Sequence, residues 1–295
     1  MKGRTLFAVL GGLVLVAACL LACFCRPQAA AKSTDDGAKA KSGGSIKLAV
    51  GAKPADSIDA MRQVVKSHVG KQNVRARMSR GDKPVVVSSM FGRLADADRG
   101  LCEAVQAAMD ADDFSKTVEL CARLKTSSDP AARAHAVDAL GWFGAEALPE
   151  LTMLMWDPDA DVAQSAVNAW ESGFSEIDSP ADRLKISKLA MNVLSSKDAL
   201  QSIGSKFSIA ATDYIDAEDD EDAAFGRRVE VVQNVVDMIY SSNDALSNVG
   251  LELYDEITGH EWISMSEAER YLGDPDNYEP PESLDDPDNH EQPEE

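Results

Sequence analysis

The residues in this sequence that could carry chemistry are few and scattered. The 295 residues include four histidines, at positions 68, 135, 260 and 290, and no two of them have the spacing of metal ligands on one helix. His260 and Glu261 lack the second histidine that would complete a zinc-binding helix. The sequence contains no nucleophile elbow, no phosphate-cradling glycine loop and no dinucleotide-binding fingerprint. We therefore expect a protein that is not an enzyme and holds neither a cofactor nor a metal.

Two acidic segments have the composition of weak cation sites. Residues 157–161 read Asp-Pro-Asp-Ala-Asp, like the first half of a calcium loop. However, Val162 stands where such a loop needs glycine, and Asn168 stands where it needs glutamate. A helix-capping turn explains this spacing better. In the same way, we expect the acidic run at residues 216–222 to be a solvated loop between helices.

Two cysteines, Cys102 and Cys121, lie beyond the apolar N-terminal segment. Each falls on the apolar stripe of a predicted helix, and the turn predicted at residues 110–113 lies midway between them. In an antiparallel helical hairpin the two side chains should therefore face each other. They are candidates for a disulfide, which an oxidising compartment would permit. Two reduced thiols in the core are the alternative.

The elements that position these residues are predicted to be repeated helical hairpins. Residues 129–140 match residues 159–170 at an offset of 30, and residues 195–204 match residues 241–250 at an offset of 46. Self-similarity at such periods is typical of solenoids, because one hairpin cannot bury its apolar faces alone and must stack on its neighbours. We predict five hairpins, with helices near 100–109 and 113–126, 130–141 and 145–156, 160–172 and 180–195, 198–214 and 224–241, and 244–258 and 264–272.

Acidic and small residues recur at fixed places in these repeats. An aspartate stands at the head of each of four first helices, where its carboxylate can accept bonds from unpaired backbone N–H groups, and the predicted helix caps are Asp129, Asp159, Asp198 and Asp244. Small residues recur where helices must approach closely, at Ala136, Ala139, Ala166 and Ala169. The four tryptophans, at 142, 156, 170 and 262, fall at helix ends or turns and are expected to pack in the core or in the seams between repeats. The alternative is that an exposed tryptophan anchors a partner.

Residues 129–151 resemble a short bacterial HEAT repeat of the kind also seen in phycobilisome-lyase-like proteins. The resemblance rests on Asp129, Pro130, Arg133, Ala136, Ala139, Leu140, Gly141, Gly144, Ala147, Leu148, Pro149 and Leu151. It implies an all-α fold, an α-solenoid of HEAT or armadillo type, that makes protein contacts. No lyase activity is carried over, because the shared residues are structural ones.

The N-terminus has the pattern of an export signal. Lys2 and Arg4 precede an uncharged apolar run over residues 5–25. Val16-Ala17-Ala18-Cys19 matches a bacterial lipobox, which makes Cys19 the candidate for lipidation and Cys23 the second choice. An uncleaved membrane anchor and cleavage after residues 29–31 are the alternatives. All three place the body of the protein outside the cytoplasm, and the lipoprotein and anchor interpretations place it in the cell envelope, membrane-anchored and facing the periplasm or the exterior.

Charge divides the chain into segments. The whole chain has a net charge of −21, which argues against a nucleic-acid partner. Residues 62–93 nevertheless carry eight basic residues and one acidic residue. The segments are expected to be a signal or anchor (1–28), a flexible linker (29–53), a basic segment (54–98) with one amphipathic helix over residues 54–69, the solenoid (99–272) and a disordered acidic tail (273–295).

These observations favour a membrane-tethered scaffold or adaptor outside the cytoplasm. Its partner would be an unidentified protein, bound on one face of the helices between residues 130 and 254. One alternative is a structural envelope protein that binds a polyanion through residues 62–93, with the acidic solenoid as a spacer. Another is a lipid- or metal-binding module, or an enzyme whose site has no recognised motif.

Overall fold

The computed structural model describes residues 54–69, 94–217, 220–262 and 264–273. Within these residues it contains α-helices and one short 3₁₀ helix, Gly144–Ala147, and no strand. The predictions for the export signal, the lipidation candidates Cys19 and Cys23, the linker, the stretch 70–93 and the tail from residue 274 lie outside the described residues. The helices are α1 (Pro54–Val69), α2 (Asp96–Asp110), α3 (Phe114–Leu124), α4 (Pro130–Trp142), α5 (Leu148–Leu154), α6 (Ala160–Phe174), α7 (Pro180–Met191), α8 (Lys197–Asp216), α9 (Glu221–Ile239), α10 (Asp244–Thr258) and α11 (Met265–Gly273).

The helices form two layers, as the solenoid prediction requires. The first helices of successive hairpins, α2, α4, α6, α8 and α10, pack on one another in chain order. The second helices, α3, α5, α7 and α9, each pack against the first helix of the next hairpin. We call these sets the first-helix layer and the second-helix layer. The prediction of an all-α fold of stacked hairpins is confirmed.

Helix ends in the repeats are set by local sequence. Asp129 is the N-cap of α4, and its carboxylate accepts a bond from the Ala131 amide at 2.9 Å. Pro130 follows at the first helical position, where its missing N–H costs nothing. Asp159 caps α6 in the same way, accepting from the amides of Asp161 and Val162.

Two of the predicted caps are wrong by one or two residues. Asp198 lies in the first turn of α8, whose N-cap is Ser196. Asp244 is the first residue of α10, and the side chain of Asn243 caps that helix instead. Both short segments contain several residues that can cap, so the aspartate spacing alone could not fix the position.

One predicted helix is divided. Residues 145–156 were expected to form one helix, but the 3₁₀ helix Gly144–Ala147 precedes a shorter α5. Gly144 has φ +57°, a conformation that an L side chain rarely adopts, and Pro149 lies in the first turn of α5. The chain therefore forms a 3₁₀ helix and a short α-helix where the helical periodicity alone predicted one continuous helix.

Candidate interaction surface

Helix α1 has the amphipathic pattern that its sequence predicts. One stripe is buried, formed by Ser57, Ile58, Met61, Val64 and Val65. Arg62, Gln63 and Lys66 lie on the exposed side. A helix with such a stripe is stable only when the stripe is covered.

The stripe of α1 is covered by the second-helix layer. The helix packs on α7, on α5 and on the 3₁₀ helix that precedes α5. The hydroxyl of Thr152, a buried residue of α5, lies 3.8 Å from the sulfur of Met61. Helix α1 thus lies between the second helices of two neighbouring repeats and belongs to no hairpin itself. The sequence required the stripe to be buried somewhere, but it gave no sign that the repeats would bury it.

Polar contacts hold α1 at its middle and near its C-terminal end. Near its middle, Arg62 donates to Glu150 at 2.9 Å and also pairs with Asp59. Near its end, Nδ1 of His68 lies 3.0 Å from Oδ2 of Asp182, on α7. A partly exposed ion pair contributes about 0–1 kcal/mol, whereas each large apolar side chain fully buried contributes about 1.5–3 kcal/mol. The apolar stripe therefore supplies most of the binding free energy, and the charged contacts fix the register of the helix.

The same surface continues beside α1 towards α3. A groove of about 440 Å³ is lined by Val65 of α1 together with Phe114 and Val118 of α3. A smaller cavity of about 160 Å³ adjoins Val118 and Met153, and the side chain of Met153 is 38% exposed. The second-helix layer thus presents apolar surface that α1 does not fill.

A buried ion pair joins α4 to the turn between α5 and α6. The guanidinium of Arg133 donates to both carboxylate oxygens of Asp157, at 2.7 and 2.9 Å, and to the carbonyl of Ser127 at 2.9 Å. Burial alone would raise the pKa of Asp157, but the Arg133 and Asp159 hydrogen bonds and the nearby positive charges hold that pKa below its ordinary value. Asp157 is therefore committed to a structural contact, as the capping-turn interpretation of residues 157–161 predicts.

Cys102 and Cys121 are both buried free thiols, which is the second of the two alternatives drawn from the sequence. The thiol of Cys121 donates to the carbonyl of Ala136, on the next repeat, at 3.8 Å. Burial raises the pKa of Cys102 to about 11 and that of Cys121 to about 12. Both are inert core residues at neutral pH.

The remaining candidates for chemistry stay apart. No group of three or more metal-ligating side chains occurs among the described residues. His135 is buried beside the carbonyl of Cys102, and burial lowers its pKa. Trp142 and Trp170 are buried and Trp262 packs on the core, as expected, but Trp156 is 52% exposed, so the seam prediction is wrong for that residue.

Comparison with known proteins identifies the repeats. Residues 93–171, which run from just before α2 to α6, match the family model for HEAT repeats. No curated protein and no solved structure matches the chain. The matched residues include neither α1 nor the helices after α6. Among the described residues, no helix combines the length and apolar character needed to cross a membrane.

Proposed function

We propose that this protein is a non-enzymatic interaction scaffold, tethered to a membrane by its N-terminal segment and displayed outside the cytoplasm. HEAT repeats are generally non-catalytic, which supports a binding role. The observation that carries the proposal is the packing of α1. The second-helix layer binds an amphipathic helix that is no part of its own hairpins, so it can bind a similar helix from a partner protein.

Helix α1 and a partner helix would compete for the same surface. Because α1 belongs to the same chain as the repeats, it binds at a high effective concentration. A partner must therefore bind more tightly than α1 or use the open surface beside it. Weakening α1 should increase partner binding, which gives the proposal a direct test.

The substitution Met61→Glu is expected to release α1. Met61 is fully buried, and a carboxylate placed there would be desolvated without a partner. Gln63→Glu adds the same charge on the exposed side of the same helix and is the matched control. Hydrogen exchange should become faster in residues 54–69 of the Met61 variant only, while α10 keeps its protection and shows that the repeats remain folded.

Partner binding can then be measured with a photo-crosslinking residue at Met153, which is exposed beside α1. In membranes of the producing cell, crosslinks to the same partner should increase with Met61→Glu and stay unchanged with Gln63→Glu. The identified partner, once purified, should bind the Met61 variant more tightly than the unmodified protein. Equal crosslinking with α1 bound and released would show that this surface is not the binding site.

The anchoring part of the proposal has its own test. The lipobox at residues 16–19 predicts that Cys19→Ser leaves an unprocessed precursor or releases the protein from membranes, whereas Cys23→Ser changes neither. Mass spectrometry and membrane fractionation measure both effects. An unchanged mass and distribution for both variants would exclude the lipoprotein assignment and leave the other two fates.

A further inference from the structure

A second cleft lies on the first-helix layer, which α1 does not cover. It has a volume of about 430 Å³ and opens where the turn after α5 meets the start of α8. Trp156 and Pro158 line it from the turn, and Ala163 and Val167 line it from α6. Ser195 and Ser196, just before α8, and Asp198 and Ala199, in its first turn, complete the lining. The cleft therefore joins three successive repeats.

Trp156 is exposed in a way that packing does not explain. Trp156 and Tyr240 occupy equivalent positions in their repeats. Trp156 lies three residues before the N-cap of α6, and Tyr240 lies three residues before the N-cap of α10. Tyr240 is 56% exposed, but its ring meets that of Trp262 edge-on, with centroids 6.1 Å apart. Trp156 has no ring partner among the described residues, and its indole forms a wall of the cleft. An exposed indole at the wall of a cleft is typical of a contact residue.

The charge of the cleft favours a cation. Asp198 lines it, is exposed, and forms no ion pair within the described part of the chain. The carboxylate of Asp157 also lines the cleft, but Arg133 neutralises it. Residues 94–273 contain 35 acidic and 13 basic residues, a net charge of −22. A field of this sign concentrates cationic partners near the surface and repels anionic ones.

We propose that the Trp156 cleft binds a lysine or arginine side chain presented by an extended segment of a partner protein. The cationic group would lie on the face of the indole and pair with the Asp198 carboxylate, and the apolar stem would lie against Pro158 and Val167. The cleft and the α1 surface belong to different helix layers, so this site is independent of the proposed function.

The test uses a fluorescein-labelled peptide of alternating glycine and arginine and the full chain in detergent. Fluorescence anisotropy should show binding that weakens about 3- to 30-fold with Trp156→Ala. It should weaken about 2- to 5-fold with Asp198→Asn. Phe225→Ala and Asp222→Asn remove an exposed aromatic ring and an exposed carboxylate from α9, away from the cleft, and should change the affinity less than either cleft variant.

A fluorine signal from Trp156 distinguishes binding in the cleft from non-specific attraction of the peptide to the acidic surface. Protein labelled with 5-fluorotryptophan gives one fluorine signal for each of its four tryptophans, and Trp156→Phe assigns the signal of interest. The peptide should move the Trp156 signal and leave the others in place. Equal losses of affinity in all four variants, with no shift at Trp156, would overturn the proposal and leave only non-specific attraction. Arg75 and Arg77, two of the basic residues between positions 62 and 93, could themselves enter the cleft in place of a partner. If the double substitution Arg75→Gln and Arg77→Gln moves the Trp156 signal in the absence of peptide, the chain occupies its own cleft and the proposal fails.

Discussion

The contact between Gly173 and Gly144 gives the sharpest test of how the repeats stack. A methyl group added at Gly173 would lie 2.7 Å from the carbonyl carbon of Gly144, 2.8 Å from its oxygen and 3.0 Å from the amide nitrogen of Ala145. These are backbone atoms, so no side chain can rotate away from the new group. Gly144 itself has φ +57°, which restricts any shift of the backbone there. We therefore expect Gly173→Ala to separate α6 from the 3₁₀ helix.

The expected effect follows from two opposing contributions. Replacing glycine by alanine in a helix stabilises it by about 0.5–1 kcal/mol, whereas overpacking a tight contact costs about 1–3 kcal/mol. The second contribution is larger, so the free energy of unfolding should fall by about 1–2 kcal/mol. For a protein of this size each kcal/mol lowers the melting temperature by about 2–4 °C.

Gly226→Ala is the matched control. Gly226 lies within α9, and an added methyl group meets no atom within 4 Å. It should therefore stabilise the protein by up to about 1 kcal/mol. Urea and thermal unfolding of the two variants should show effects of opposite sign. A Gly173 variant as stable as the Gly226 variant would mean that α6 and the 3₁₀ helix are not in contact, and the packing of the second and third hairpins would be wrong.

Four further predictions concern helix caps, the buried ion pair, its pH dependence and core packing. Asn243→Ala should lower the free energy of unfolding by about 1 kcal/mol, and Asp244→Ala by less, as urea unfolding will show. Arg133→Ala should destabilise by about 3–5 kcal/mol, because it leaves Asp157 buried without its partner. Since the folded-state pKa of Asp157 is lowered, its stabilisation is complete above the unfolded-state pKa near 4 and should be lost as the pH falls below it; melting at a series of pH values measures this. Ala139→Leu, at a fully buried position, should lower the melting temperature through overpacking of about 1–3 kcal/mol.

The sequence was sufficient to predict most of the helices, because their periodicity and caps are local. The predicted spans of α1 and α10 agree with the structure at both ends. The helix predicted at residues 180–195 instead ends at Met191, where the chain leaves the helix by a tight turn in which the amide of Leu194 bonds to the carbonyls of Ala190 and Met191. Periodicity continued through that turn because Val193 and Leu194 are buried outside the helix.

The candidate surface could not be predicted in the same way. The stripe on α1 indicated that the helix must be covered, but its position depends on α5 and α7, which both contact it. The arrangement of α5 and α7 is a property of the stacked repeats, and the sequence of residues 54–69 contains no information about it. The lack of a ring partner for Trp156 is a similar case, since the ring that contacts Tyr240 at the equivalent position comes from Trp262, in the turn between α10 and α11.

The packing of α1 also specifies what a competing helix must look like. Its buried apolar positions are Ile58, Met61, Val64 and Val65, which recur at intervals of three and one residues along one face. The acidic residues that meet it, Glu150 and Asp182, lie opposite Arg62 and His68, six residues apart. A partner helix that keeps the apolar spacing but carries acidic residues at those two places would bring like charges together, which disfavours binding. Selectivity on this surface therefore depends on the two charged positions, while affinity depends on the four apolar ones.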